Sequence, residues 1–538
     1  MRIPLGSAMG VLSLAICLAL VPGCRKGTPT TCKGWTKLLK SPVRARDAIK
    51  NLGDLHCKEN VKDLEAIFST SQYKAEILQT VKAINAPKES VGLLTKALRS
   101  PITATLGAAV AEDFALPELR QPIVEVLSAN KAIKARENSL KALAAIDKGN
   151  LKQHEDLLIK LVRTDPNTQG VQVNTQAAKM LGEIGSEKAV PHLIAGLFLR
   201  NQRGVQLYTP ARKALARIGK PAVAPLLGVL TGNEATAGAI IKDLKATAKK
   251  MGIFDWQWQD GPELIQVLSD LGDTAGAPIL AASLAKQLNP PVGVDDRVLR
   301  TWQISQQNRI TMCMMGLWRI GTEEVVNTLK KVVINPDNDA KQRLDTASAV
   351  ALLPGFRGVG TLLDIYRKSK DSRFRAPLLK PAVLGLDWDN LATFQKLLKS
   401  ERSELVKSRL QGEGQDAKNL QAVLAILKEC KKGDTDCLIA KLKSGDKVTG
   451  RKAAILLAGM EGVDTKKALD ALFEVYPTVD PIGMIDFRRF ILLAIWRLGD
   501  KSRVPDLERL LASDRDRKGT GYWIDELEVL IPSMAAKD

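Results

Sequence analysis

Three histidines, seven cysteines and a scatter of serine–lysine and aspartate pairs are the side chains of this 538-residue sequence whose types could do chemistry. His56, His154 and His192 could serve as general bases or metal ligands, yet none has a Cys, Asp or Glu at the spacing that completes a metal set. Ser-x-x-Lys, in which a lysine can activate a serine nucleophile, occurs at Ser71/Lys74, Ser128/Lys131, Ser283/Lys286 and Ser444/Lys447. Four scattered copies without a Ser-Asp-Asn partner mark a lysine-rich chain rather than an active site. Asp337-Asn338-Asp339 and Asp434-Thr435-Asp436 lack the Gly and distant Glu of a calcium loop and read as caps or turns. The glycine-rich stretch from Gly355 to Thr361 lacks the lysine of a phosphate-binding loop. These residues point to no enzyme and call for no metal or cofactor.

Charge is the feature with functional weight. Lys and Arg number 79 against 59 Asp and Glu, a formal charge of +20. Lys242, Lys245, Lys249 and Lys250 lie at helical spacing, with Trp256 and Trp258 just beyond. A second cluster, Arg367, Lys368, Lys370, Arg373 and Arg375, holds only Asp371 among its cations, and Lys428, Lys431 and Lys432 begin a third. Such surfaces attract anionic partners, and Trp is favoured at binding hot spots. Plain solvated helix faces for the cations, and core filling for both tryptophans, are the competing readings.

The elements that must position these residues are helices in a repeat. Ala177, Lys179, Leu181, Ile184, Gly185, Pro191 and Leu193 each recur 34 residues later, from Ala211 to Leu227. Apolar residues three to four apart predict one helix, Gly185 ends it, and Pro191 opens a second. The same Gly-to-Pro interval returns at Gly219/Pro225, Gly272/Pro278 and Gly499/Pro505. A fixed period in this range marks a solenoid, and an aromatic content of only 4% suits one built on Ala, Leu and Ile. The stretches 177–185 and 211–219, each followed by its Pro-led helix, resemble the HEAT-repeat family, close to its short bacterial version. That resemblance implies an all-α fold, an α-solenoid of stacked, right-handed helix pairs over 35–538, clearest at 175–230, 262–288, 311–366 and 452–511. Trp35 to Leu52 and Val61 to Phe68 read as the first pair, and Tyr522 to Ile531 as an end cap. Residues 253–262 and 289–300 interrupt the period, and such insertions gather on one face of a solenoid.

Residues 1–23 are read as a signal peptide: Arg2, then an apolar run from Val11 to Val21. The run closes on Val21-Pro22-Gly23-Cys24, which resembles the lipobox of bacterial lipoproteins, although Val21 and Pro22 are not its commonest residues. The resemblance implies lipidation of Cys24, a tether over 24–34, and, with Arg25 next, the outer membrane of a bacterial envelope. Two or three acyl chains anchor durably. Export permits disulfides, and Cys32–Cys57 and Cys430–Cys437 are the expected pairs. Cys313, inside an apolar helix, is expected to be a buried free thiol.

The expected function is binding without catalysis: a HEAT-type scaffold whose concave face holds an envelope protein or an anionic envelope polymer. Some alkyl-base glycosylases use basic HEAT superhelices on DNA, but an exported chain has no access to the genome, so nucleic acid is set aside. A structural spacer is the alternative. An enzyme akin to the HEAT-like phycobilin lyases, which act inside cells, ranks behind it.

Overall fold

The computed structural model of the protein describes residues 28–129, 132–353, 355, 358–411 and 414–537. The signal segment, Cys24 and Arg25 therefore lie outside the described residues. Among those described, the regular structure is helical, with one isolated bridge between Arg200 and Gln206. The α-solenoid is the fold. It divides into two compact units, residues 1–130 with 141–146 and residues 131–140 with 147–538.

In the first unit, Ala45–Asp54, Lys74–Ile84 and Ala104–Phe114 alternate with Val61–Phe68, Val91–Arg99 and Arg120–Ala129. The predicted Trp35–Leu52 helix is instead two, Cys32–Thr36 and Ala45–Asp54, parted by turns around Pro42. A proline disfavours helical backbone in the residue before it, which accounts for the break. Cys32 and Cys57 are bonded, with Cα atoms 5.7 Å apart, so the leading helix with its buried Trp35 is fixed to the end of the next. The turns pass through left-handed backbone at His56, Asn85 and Ala115, with φ of 49°, 52° and 48°. No glycine marks them, which hides the period here from the sequence.

In the second unit each repeat has a first helix, a tight turn, a second helix and a link to the next repeat. Val171–Glu183, Tyr208–Ile218, Pro262–Leu271, Asp296–Ile320 and Ala340–Ala351 are successive first helices, each packed on the next. Gly185, Gly219 and Gly272 take φ of 63°, 73° and 68°, as their place after a helix predicts. Gly499 does not; its backbone is extended, with φ of −82°. Pro191, Pro225, Pro278 and Pro505 all fall in the first turn of their helices, where a missing N–H removes no hydrogen bond. Close stacking depends on small residues: a Cβ on Gly182 would stand 2.8 Å from the Ala214 Cα of the next first helix. Cys430 and Cys437 are bonded, with Cα atoms 5.6 Å apart. Cys313 is free and buried, and burial pushes its thiol up to about 11.

Three expectations change here. The period-breaking stretch 289–300 is only partly a loop, because Asp295 caps a helix that runs unbroken over 25 residues to Ile320. Residues 253–262 likewise contain a short helix, Asp255–Gln259. The last helix, Gly521–Ala535, does more than cap an end: besides Val504–Arg515 it packs on Tyr208–Ile218 and Pro262–Leu271. The first-helix row thus closes on itself within this unit. Arg212 donates to Asp270 at 2.5 and 3.0 Å and to Glu526 at 2.9 Å, across 314 residues of sequence. Lys213 meets Asp525 and Glu528, each at 2.6 Å. Trp318 stacks on Phe490 with centroids 5.3 Å apart, and Arg319 lies 4.4 Å from the Trp496 ring. Burial works against the Arg212 charge, but the Asp270 and Glu526 carboxylates outweigh it and hold the guanidinium well above its usual pKa. The open concave face anticipated from the repeat is, across these helices, largely filled, leaving a cavity of about 60 Å³ bordered by Asp270, Trp318, Arg319, Trp496 and Glu526.

Candidate functional site

With the inner row occupied, the edges of the second unit remain. Because the two helices of a pair run antiparallel, all tight turns fall on one edge and all links on the other. The turn edge is compact, built from Gly-containing turns and short 3₁₀ segments such as Glu187–Ala189 and Lys220–Ala222. Every irregular insertion belongs to the link edge.

The helix Glu234–Met251 is inserted into one link and lies across the link-edge ends of earlier repeats. Asp243 accepts from Arg163 at 2.5 Å, Lys250 pairs with Asp165 at 3.1 Å, and Arg200 donates to the Met251 carbonyl at 2.8 Å. Lys242, Lys245 and Lys249 are exposed on it and make no ion pair among the described residues. Trp258 is not a surface anchor. It is 3% exposed, with its indole N–H turned to Asp255 at 3.2 Å. Trp256 sits in the same short helix, and its side chain lies outside the described residues.

The second basic cluster falls on the same edge, where Gly358–Lys368 gives way to Ser372–Gly385. Its members have separate fates. Arg367 is taken by Asp364 at 2.9 Å. Arg375 is built into the fold, donating to Glu401 at 2.9 Å and to the Ser369 carbonyl at 3.0 Å. Burial favours a neutral Glu401, but the Tyr366 hydroxyl, two backbone N–H groups and Arg375 together hold its carboxyl below the usual range. Lys368, Lys370 and Arg373 are exposed without an ion-pair partner among the described residues.

Lys368 also borders a cavity of about 350 Å³, shared with Lys330 and Arg343. Ile365 and Phe374 give it an apolar wall, and Asp364, already met by Arg367, is its one acid. Arg343 is preset: Nε donates to the Val333 carbonyl at 2.9 Å, and the guanidinium carbon lies 3.7 Å from the Phe374 ring centroid. Neither Nη atom has a hydrogen-bond partner among the described residues, so the fork is available to a ligand. Partial burial draws the Arg343 pKa down, with Asp371 opposing. Two lysines and a held guanidinium around an apolar wall have the chemistry to take an anion, since a fixed fork matches carboxylate or phosphate oxygens in pairs. Lys330 and Arg343 were missing from the sequence reading, because they lie 38 and 25 residues before Lys368 and join it only in the folded chain.

The histidines have no common site. His154 is 2.7 Å from Asp147, His56 meets the Ala83 carbonyl at 2.8 Å, and burial lowers the pKa of His192.

Comparison with solved structures returns a karyopherin. The chain is similar to the karyopherin Kap121p. Against a crystal structure of Kap121p the identity is 11% and the TM-score 0.37, over 89% of this chain and 53% of that one. Kap121p bound to the SUMO protease Ulp1p gives 11% and 0.35, over 94% and 53%. Kap121p bound to the extreme C-terminus of the protein phosphatase Cdc14p gives 12% and 0.35, over 93% and 52%. The chain therefore spans about half the length of these karyopherins. No protein-family model matches the chain, and no curated protein matches it. At these values the likeness adds nothing to the fold, which rests on the packed helix pairs described above.

Proposed function

We propose that the protein is a non-enzymatic scaffold of a bacterial cell envelope, held to the outer membrane by lipid on Cys24, that binds an anionic partner along the link edge of its second unit. The observation that carries this reading is the cavity between Lys330, Arg343 and Lys368, on the edge that also displays Lys242, Lys245 and Lys249. Binding follows from preorganisation. Arg343 is fixed before any ligand arrives, and stacked helices lose little entropy on contact. The partner class is an acidic envelope protein or an anionic envelope polymer. Lipidation adds location rather than recognition.

Soluble polyglutamate is a direct probe. The full chain carrying Cys24→Ser is expected to bind it, with affinity falling about tenfold or more as the Debye length shrinks from low to physiological salt. Arg343→Ala with Lys368→Glu is expected to remove most of that binding, and Lys242→Glu with Lys245→Glu to weaken it further. Unchanged affinity in the first pair would remove the cavity from the site. Salt-independent binding would remove the electrostatic reading.

A further inference from the structure

The helix Asp296–Ile320 is 25 residues long, whereas the first helices packed on either side of it, Pro262–Leu271 and Ala340–Ala351, have 10 and 12. The three end together at the turn edge, where Leu271, Ile320 and Ala351 each lead into a turn. The opening half of the long helix must therefore run out past its neighbours on the link edge, by about 20 Å at 1.5 Å per residue. Its burial pattern agrees: no residue from 296 to 305 is buried, and burial begins at Gln306 and Arg309.

This projection is not a polar spur. The link leading into it carries Val292, 98% exposed, and the helix itself carries Ile304, 63% exposed, with Trp302 half-buried beside it. Arg297 and Arg300 are exposed on the same turns and make no ion pair among the described residues. Asp295 is spent as the helix cap, accepting from the Val298 N–H at 2.8 Å. Farther along the same edge, exposed aliphatic side chains recur at Ile334, Leu405, Ile482 and Ile485. Exposed cations stand beside the first two, at Lys331 and Arg402.

Resting on the reading of this edge as the anion-binding surface, we propose that the 292–304 projection makes a second contact of its own, entering the headgroup region of a bilayer that contains anionic lipid. The pattern selects that occupant over a folded protein. A protein partner is recognised through a contiguous apolar patch with matching pockets. Here the aliphatic side chains are dispersed along the edge, from Val292 and Ile304 to Ile334, Leu405 and the Ile482/Ile485 pair, and adjacent helices stand about 10 Å apart. A fluid surface accepts all of them without matched pockets, takes Trp at its polar boundary, and supplies negative charge for Arg297 and Arg300. Among the described residues no single helix is long and apolar enough to cross a membrane, so the contact proposed is peripheral.

The test uses the full chain with Cys24→Ser, in which no acyl chain contributes, and a polarity-sensitive dye attached through Val292→Cys. A second form carries the dye through Lys188→Cys, on the turn edge. Vesicles of phosphatidylcholine with phosphatidylglycerol are expected to blue-shift the residue-292 dye and raise its emission severalfold. Pure phosphatidylcholine should leave it unchanged, and the residue-188 dye should respond to neither. Arg297→Glu with Arg300→Glu should cut the response at least about fivefold. An equal response at both positions, or an equal response to both lipids, overturns the proposal. Retained polyglutamate binding with no dye response overturns the bilayer contact alone and leaves the anion-binding edge standing. Loss of both overturns the edge itself.

Discussion

Arg488→Met is expected to lower the unfolding free energy of the second unit by about 3–5 kcal/mol, the cost of stranding one charge of a buried pair. The Arg488 and Asp514 side chains are 0% and 1% exposed, and Nη2 of the arginine donates to both carboxylate oxygens, at 2.8 and 2.9 Å. Tyr476 donates its hydroxyl to the same carboxylate at 3.1 Å, while the guanidinium carbon lies 3.9 Å from the Tyr476 centroid and 5.1 Å from that of Trp523. Deleting the cation leaves Asp514 with one side-chain donor in an aromatic cage. Urea unfolding of the Arg488→Met chain reads the loss directly. Adding Asp514→Leu should recover most of it, because two apolar groups of similar volume need no partner. A single variant as stable as the native chain would mean that the cage solvates Asp514 unaided.

The second large effect concerns closure. Asp270→Ala removes the carboxylate that takes two hydrogen bonds from Arg212 and lies 3.7 Å from Arg319, and both cations are buried. Among the described residues Glu526 remains as the one carboxylate on Arg212, and the expected cost is again about 3–5 kcal/mol. The loss should be local. The Gly521–Ala535 helix meets Tyr208–Ile218 through this cluster, so its amides should exchange hydrogen faster, and the chain should become open to proteolysis near Gly519. Asp525→Ala offers the contrast: its partner Lys213 keeps Glu528 at 2.6 Å, and the expected change is under about 1 kcal/mol. Unaltered exchange in the last helix of the Asp270→Ala chain would show that apolar packing alone holds the closure.

Much of this fold is readable from local signals. Gly185, Gly219 and Gly272 announce turns because a left-handed residue at a helix end is best filled by glycine, and a Pro six residues on marks the next first turn. Where His56, Asn85 and Ala115 occupy the same backbone region, that signal is gone and the repeat cannot be phased. Closure is invisible for a different reason. Arg212 and Glu526 are one cation and one acid among many, and only the accumulated rotation of the intervening helices brings them together. The projecting helix had a signal that Pro290 and Pro291 obscured: Asp295, a good capping residue, stands just before Val298, Leu299 and Trp302 at helical spacing. Trp258 shows the limit of composition, since an indole three residues from an aspartate can fill a core as readily as face a partner. The basic cluster at 367–375 was visible as charge, but its division into Arg375 for structure and Lys368 for the cavity depends on Glu401 and Arg343, 26 and 25 residues away.

The central claim is that the link edge of the second unit is the working surface, and site-directed photocrosslinking in envelope membranes of the source cell tests it most directly. One form carries the photoreactive residue in place of Lys368 at the cavity, another in place of Lys188 on the turn edge. The account predicts an adduct, lost at high salt, from the Lys368 position and none from Lys188. An adduct confined to the Lys188 position, or equal yields from both, would contradict it.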